Sequence, residues 1–302
     1  MLKGKKAAHI LIAFVLGYIP LIVHMRVFSP ELEGFDWFYS SPIKESDFFL
    51  YYKTVAMICT GGVMLAFLPV VLKKNKELKR LIRPELIPLY IYAAAVLMSG
   101  MCSDNKRHAF FGVCEDFETV LTVLSYTVLF VFTYIFVDCI KDLEFILKCS
   151  APGIAVIHLL SIAQLCSLDF FKSSLGKMLI LPVKYHAEAQ KLAFTFKERT
   201  VYATMYNSNY VPQYFCFFFF IFIVLALKSE GRKRAVWLGC SVASFICILG
   251  SRSKTGMIAV VAGLLFAVFF YFNGFRIKKG AVFIFWGLAV LLSSGILLYD
   301  AS

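Results

Sequence analysis

Nine apolar stretches punctuate the chain, at about residues 8–25, 48–72, 86–102, 117–138, 150–167, 210–227, 235–250, 256–274 and 281–299. Apolar residues run continuously within them, without the alternation that a membrane β-barrel strand requires. A helix crosses about 30 Å of hydrocarbon with about 20 predominantly apolar residues at a rise of about 1.5 Å each. The pattern therefore predicts an all-α, polytopic transmembrane helical bundle of about nine spans, forming a single membrane domain over residues 1–302. Lys3, Lys5 and Lys6 precede the first span as they would in a signal peptide. No small-residue cleavage site follows, and the apolar run continues past Pro20, so a retained helix is expected.

Composition supports the same class. Hydrophobic residues make up 60% of the chain and charged residues only 17%, against about 25% charged in a soluble domain. Mean hydropathy is +0.77. The net charge of +12 takes its meaning from where the charges lie. With the connections numbered alternately, the side holding the N-terminus carries 18 of the 31 Lys/Arg and 6 of the 19 Asp/Glu. The opposite side is balanced. Excess Lys/Arg marks cytoplasmic loops, which predicts a cytoplasmic N-terminus and accounts for the charge without a nucleic-acid partner. Attraction to anionic membrane lipids adds to the same trend. The nine cysteines are scattered with no metal-ligand spacing, so no metal or cofactor is expected and buried structural thiols are the default. Cys102 and Cys114 flank one polar loop, where either free thiols or a bridge would fit.

This orientation puts loops 26–47, 103–116 and 168–209 outside, together with the short break Ser251-Arg-Ser-Lys-Thr-Gly256. Arg252 in that break is flanked by membrane-length apolar sequence. At mid-bilayer it would cost roughly 2.5–3.5 kcal/mol or more, so it must lie at a surface or in a polar site. Three external segments carry candidate chemistry. They are Ser103-Asp104 through Gly112 with Glu115–Glu118, then Lys197–Arg199 with Ala203-Thr-Met-Tyr-Asn-Ser-Asn209, and Ser251–Gly256.

In this order and at these positions relative to the spans, the three segments resemble the O-antigen ligase / O-antigen polymerase superfamily of envelope glycosyltransferases. Members carry a Ser-x-Asp/Asn-like segment with a later Gly, then Gly-Thr-x-x-Asn-Pro-Asn before a middle span, then Ser-Arg opening the next external turn. This chain has Ser103-Asp104 with Gly112, Ala203-Thr204-x-x-Asn207-Ser208-Asn209, and Ser251-Arg252. The likeness covers roughly residues 95 to 275. Ala203 stands where the family has glycine, and Ser208 where it has proline. Ser208 retains an oxygen able to cap the sixth span.

The resemblance implies a bacterial inner-membrane enzyme with an external, periplasmic active face. It would transfer a glycan from a polyprenyl-pyrophosphate donor to a hydroxyl of an acceptor sugar. Arg252 and Arg199 are then the catalytic cations, because a guanidinium forms bidentate, charge-assisted bonds to phosphate oxygens. Lys254, Asn207, Asn209 and Ser251 are candidate substrate-binding residues. The family's catalytic histidine lies on an external loop that would begin near Asp300, so a C-terminally truncated chain is expected. His186 is the stand-in base within loop 168–209.

Plainer readings stand beside these. Arg252 and Lys254 also fit interfacial anchors that snorkel to headgroups. His186 and Arg199 fit solvated loop residues, and Asn207 and Asn209 fit helix caps. His158 fits a residue hydrogen-bonded between helices. Asp116 and Glu118 recommend either a paired-carboxylate site or acids placed at a helix N-terminus. The alternative functions are a lipid-linked oligosaccharide transporter or flippase, or an inactive truncated family member. Span interiors nearly free of ionisable residues weigh against ion-coupled transport.

Overall fold

A computed structural model describes residues 3–28, 45–72, 78–113, 116–194, 196–205 and 207–272. Its helices in chain order are α1 (Lys3–Gly17), α2 (Tyr51–Leu72), α3 (Leu78–Leu81), α4 (Ile87–Cys102), α5 (Lys106–Phe111) and α6 (Val120–Phe136). They continue with α7 (Ile140–Leu165), α8 (Ser174–Ile180), α9 (Tyr210–Leu227), α10 (Gly231–Gly250) and α11 (Lys254–Phe272). Among the described residues, six helical segments are long and apolar enough to cross a membrane. Two shorter apolar helices, Val120–Phe136 and Lys254–Ala267, fall on two further expected spans. The expected ninth span, 281–299, lies outside the described residues. The helical class and the membrane character thus follow from the apolar runs. Many large apolar side chains point outward, among them Ile91, Met98 and Met101 of α4, as suits a lipid-facing surface.

Two expected boundaries move. The fifth span was expected to start near 150, but α7 begins at Ile140 and runs 26 residues. Nothing between Lys141 and Lys148 breaks a helix, so the polar stretch forms its first turns instead of a loop. The first helix ends at Gly17, where a 3-10 turn over Ile19–Leu21 accommodates Pro20. A short antiparallel pair, β1 (Arg26–Phe28) with β2 (Glu45–Asp47), joins the two ends of the 26–47 loop. Asp47 ends it by accepting from the backbone N–H groups of Leu50 and Tyr51, which caps the start of α2.

The chain divides into two compact units. The first comprises residues 1–160, 169–195 and 204–206; the second comprises 161–168, 196–203 and 207–302. In the first, Ala8, Ile12, Met64, Leu68, Phe132, Phe136 and Ile146 join α1, α2, α6 and α7 in one apolar core. Small residues let two of these helices approach closely. A Cβ built on Gly153 of α7 would stand 2.0 Å from the Gly17 carbonyl oxygen, and one on Gly17 would stand 2.6 Å from that of Ser150. In lipid, such small-residue contacts replace the hydrophobic drive as the source of packing. Tyr18 Oη adds a hydrogen bond to the Cys149 carbonyl at 3.0 Å, near Pro152, which interrupts the α7 ladder.

An ion-pair network ties the ends of the same helices. Lys5 Nζ lies 2.9 Å from Asp138 Oδ2 and 2.7 Å from Asp142 Oδ2. Arg80 Nη1 reaches Asp138 Oδ1 at 2.5 Å and the Ile135 carbonyl at 2.9 Å. Burial pushes the Asp138 carboxyl up, but hydrogen bonds from Lys5 and Arg80 outweigh it and hold the pKa below its ordinary value. A depressed pKa contributes stability that is complete above the ordinary aspartate range. That contribution disappears as pH falls through the lower folded value. Because Asp138 is 40% exposed, Asp138→Asn should cost only about 0.2–1 kcal/mol near neutral pH. Thermal unfolding in detergent should show that deficit at pH 7 and none once wild-type Asp138 is protonated in the fold.

Candidate functional site

The second unit assembles its polar end around one side chain. Gln164, in the last turn of α7, is 3% exposed. Its Oε1 accepts from the backbone N–H groups of Tyr202, at 3.1 Å, and Ala203, at 2.7 Å. Its Nε2 donates to the Ala203 carbonyl at 3.2 Å. Two donors fix which amide atom is oxygen, so all three bonds are satisfied together. Phe196 stacks on Tyr202 at 3.8 Å between ring centres. Val201 N–H donates to the Gly250 carbonyl at 2.9 Å, which joins this segment to the C-terminal end of α10. Gly250 has no room for more, since a Cβ there would meet Val201 Cγ2 at 2.6 Å.

Both candidate arginines stand on the turns so joined. Arg199 and Arg252 are exposed, and each adopts left-handed backbone, with φ of 55°. Ser167 and Ala203 are also left-handed, at 64° and 50°. Such conformations cost an L-residue roughly 1–2 kcal/mol and gather at functional sites when the surroundings over-determine them. At Ala203, where the resembled family has glycine, the Gln164 clamp supplies that determination. Arg199 Nε donates to Ser167 Oγ at 3.4 Å. Lys197, Arg199, Arg252 and Lys254 set four cations against Glu198 across these two turns.

The remaining expected residues are placed as follows. Ser251 is 1% exposed; its hydroxyl donates to the Ile248 carbonyl at 2.7 Å and accepts from Ser253 N–H at 3.3 Å. It shapes the turn that carries Arg252 instead of facing outward. Lys254 is exposed and opens α11. Asn207 Oδ1 accepts from Asn209 N–H at 2.9 Å, forming a local turn before α9. The N-cap of α9 is Asn209, with no side-chain capping bond, so Ser208 is not the cap. His186 belongs to the first unit, within the 3-10 segment Val183–Lys191. Its Nε2 lies 3.0 Å from the Leu181 carbonyl. A carbonyl only accepts, so Nε2 carries the proton and a neutral ring keeps its lone pair on Nδ1.

Several plainer readings find support. Thr119 caps α6 by accepting from Thr122 N–H, so Asp116 and Glu118 precede a helix start, and both are exposed. Gly112 closes α5 with φ of 75°, a conformation that explains glycine there. His158 Nδ1 bonds the Ile154 carbonyl of its own helix at 2.9 Å. Cys102 is a free, exposed thiol, and Cys114 lies outside the described residues. In the Phe217–Phe220 run, Phe218 and Phe219 are buried and Phe217 is exposed, as packing and lipid-facing sequence would be.

Two residues escaped sequence reasoning. Gln164 was one polar residue in an apolar run, visible as an oddity but without a partner. Lys53, in the first turn of α2, donates to the Thr204 carbonyl and passes 5.9 Å from the centre of the Phe49 ring. Its charge near a span end was the available signal. Removing the Gln164 side chain tests the clamp. Gln164→Leu strands two N–H groups and a carbonyl, each worth about 1–3 kcal/mol when buried unsatisfied. Thermal unfolding should fall sharply, and the Tyr202 and Ala203 amides should lose hydrogen-exchange protection. Gln164→Glu, which keeps the acceptor, should retain part of both.

No protein family, curated protein or solved structure matches this chain in sequence or fold.

Proposed function

We propose that the protein is a membrane glycosyltransferase that moves a glycan from a polyprenyl-pyrophosphate donor to an acceptor sugar hydroxyl. The carrying observation is the pair of exposed arginines on left-handed turns joined by the Val201–Gly250 hydrogen bond and clamped by Gln164. Fixed guanidinium groups suit a reaction whose main demand is to stabilise a departing diphosphate. In this reading Arg252 and Arg199 bind the diphosphate oxygens and Lys254 adds a point charge. The bond from the sugar's anomeric carbon to the phosphate oxygen breaks, with its electron pair leaving on the diphosphate. The acceptor oxygen bonds to the same carbon and gives its proton to a base. Asn207 and Asn209 contact sugar hydroxyls, and Ser251 supports Arg252 through its turn.

The proposed setting is a bacterial inner membrane with the working face outside. The acceptor decides whether the product is a ligated lipid glycan or a longer polymer. The test is vesicles containing the purified protein, a polyprenyl-diphosphate oligosaccharide and a glycan acceptor. Released polyprenyl diphosphate and a matching amount of extended acceptor are the expected result. Donor that stays intact with every acceptor overturns the reading. A reporter fused after Ser302 checks the orientation, and cytoplasmic signal there would move the arginines to the wrong face.

A further inference from the structure

The turn between α9 and α10 concentrates positive charge that the proposed chemistry does not use. The two helices have 18 and 20 residues, enough at about 1.5 Å per residue to cross the hydrocarbon once each. Their connection therefore lies at a membrane surface whichever way the chain is oriented. Four cations crowd it within seven residues: Lys228, Arg232, Lys233 and Arg234, all exposed, against the single acid Glu230. Lys228 sits at the C-cap of α9, where the helix dipole favours a cation. The other three occupy the first turn of α10, which contains no acid. There the dipole disfavours positive charge. Glu230 occupies the N-cap without a side-chain capping bond.

The tip is also held in place. Phe222 and Trp237 stack at 5.7 Å with rings 16° apart. Ser241 Oγ donates to the Phe219 carbonyl at 3.3 Å, and Phe219 packs on Phe245 at 5.7 Å. The cations are thus presented by a packed helical hairpin and not by a loose tail.

We infer that the α9–α10 turn, through Lys228, Arg232, Lys233 and Arg234, is a docking site for the phosphodiester headgroups of anionic phospholipids. A headgroup phosphate at this depth neutralises the first-turn charges, and arginine offers it bidentate hydrogen bonds. This inference does not depend on glycan transfer.

The test is native mass spectrometry of the full chain titrated with phosphatidylglycerol or with zwitterionic phosphatidylcholine. Wild type should retain phosphatidylglycerol preferentially. Each basic residue near a membrane surface contributes about fivefold to binding, so Arg232→Gln/Lys233→Gln/Arg234→Gln should lower that preference about 100-fold. Lys106→Gln/Arg107→Gln, on α5, should leave it within twofold. In neutral detergent the triple variant should still unfold cooperatively, because all three side chains are exposed. Added phosphatidylglycerol should raise the wild-type melting temperature and not the variant's. Equal retention of the two lipids by wild type, or an undiminished preference in the triple variant, overturns the site and leaves the cluster a topology signal only. Should the triple variant fail to fold, Arg232→Gln alone and the wild-type lipid comparison carry the same decision.

Discussion

Arg252→Ala is expected to lower glycan transfer by about 10²–10³-fold, the usual effect of removing one preorganised group that stabilises developing negative charge. The side chain is exposed and its turn is held by Ser251 and by the Val201–Gly250 bond, so the variant should fold and accumulate normally. Arg252→Lys keeps the charge but not the bidentate fork; it should recover part of the loss, and more in donor binding than in turnover. Arg252→Gly separates backbone from side chain, since glycine adopts the left-handed conformation without strain. It should match Arg252→Ala in activity while melting at least as high. Transfer in vesicles, scored against protein quantity, decides the matter. Full activity in Arg252→Ala would remove the diphosphate-binding role.

The largest structural effect is expected at Gly153. A methyl there would sit 2.0 Å from the Gly17 carbonyl oxygen, and the contact is with backbone on both sides, so no rotamer change relieves it. Helices α1 and α7 must separate, which also weakens the Tyr18–Cys149 bond and the core around Ala8, Ile12 and Ile146. Overpacking of this kind typically costs about 1–3 kcal/mol, and a backbone collision belongs at or above the upper end. Gly153→Ala should lower the melting temperature markedly, and Gly153→Leu should yield no monodisperse protein in mild detergent. By contrast Gly62→Ala, whose Cβ would meet nothing within 4 Å, should behave as wild type. Equal effects at the two positions would contradict the close approach.

Much of the helical architecture was legible because span length is a local property. Continuous apolar runs bounded by Lys, Arg, Asp and Asn mark where a helix can cross hydrocarbon, and α2, α4, α9 and α11 lie within a few residues of those limits. The errors fall where polarity and helix formation diverge. Residues 141–148 are polar enough to leave the bilayer yet contain nothing that stops a helix, so α7 extends through them. The candidate site was partly legible in the same way. An arginine between two apolar runs is conspicuous without a structure. The sequence could not show that Ser251 turns inward, or that Asn207 bonds Asn209 while the α9 cap makes no side-chain bond.

By itself, then, the sequence determined the helical class and the membrane character, and it singled out Arg199 and Arg252. Each of those follows from the cost of placing a given side chain in hydrocarbon, which neighbouring residues suffice to set. Only the tertiary structure decided what surrounds the arginines. Gln164 meets the Ala203 backbone across 39 positions, and Gly250 meets Val201 across a comparable gap. Bonds of that range depend on how helices pack, and packing depends on shape at Gly17, Gly153 and Gly250, where the missing side chain is what matters. An apolar run records that a helix is buried in lipid; it carries no record of which buried amide will find which carbonyl.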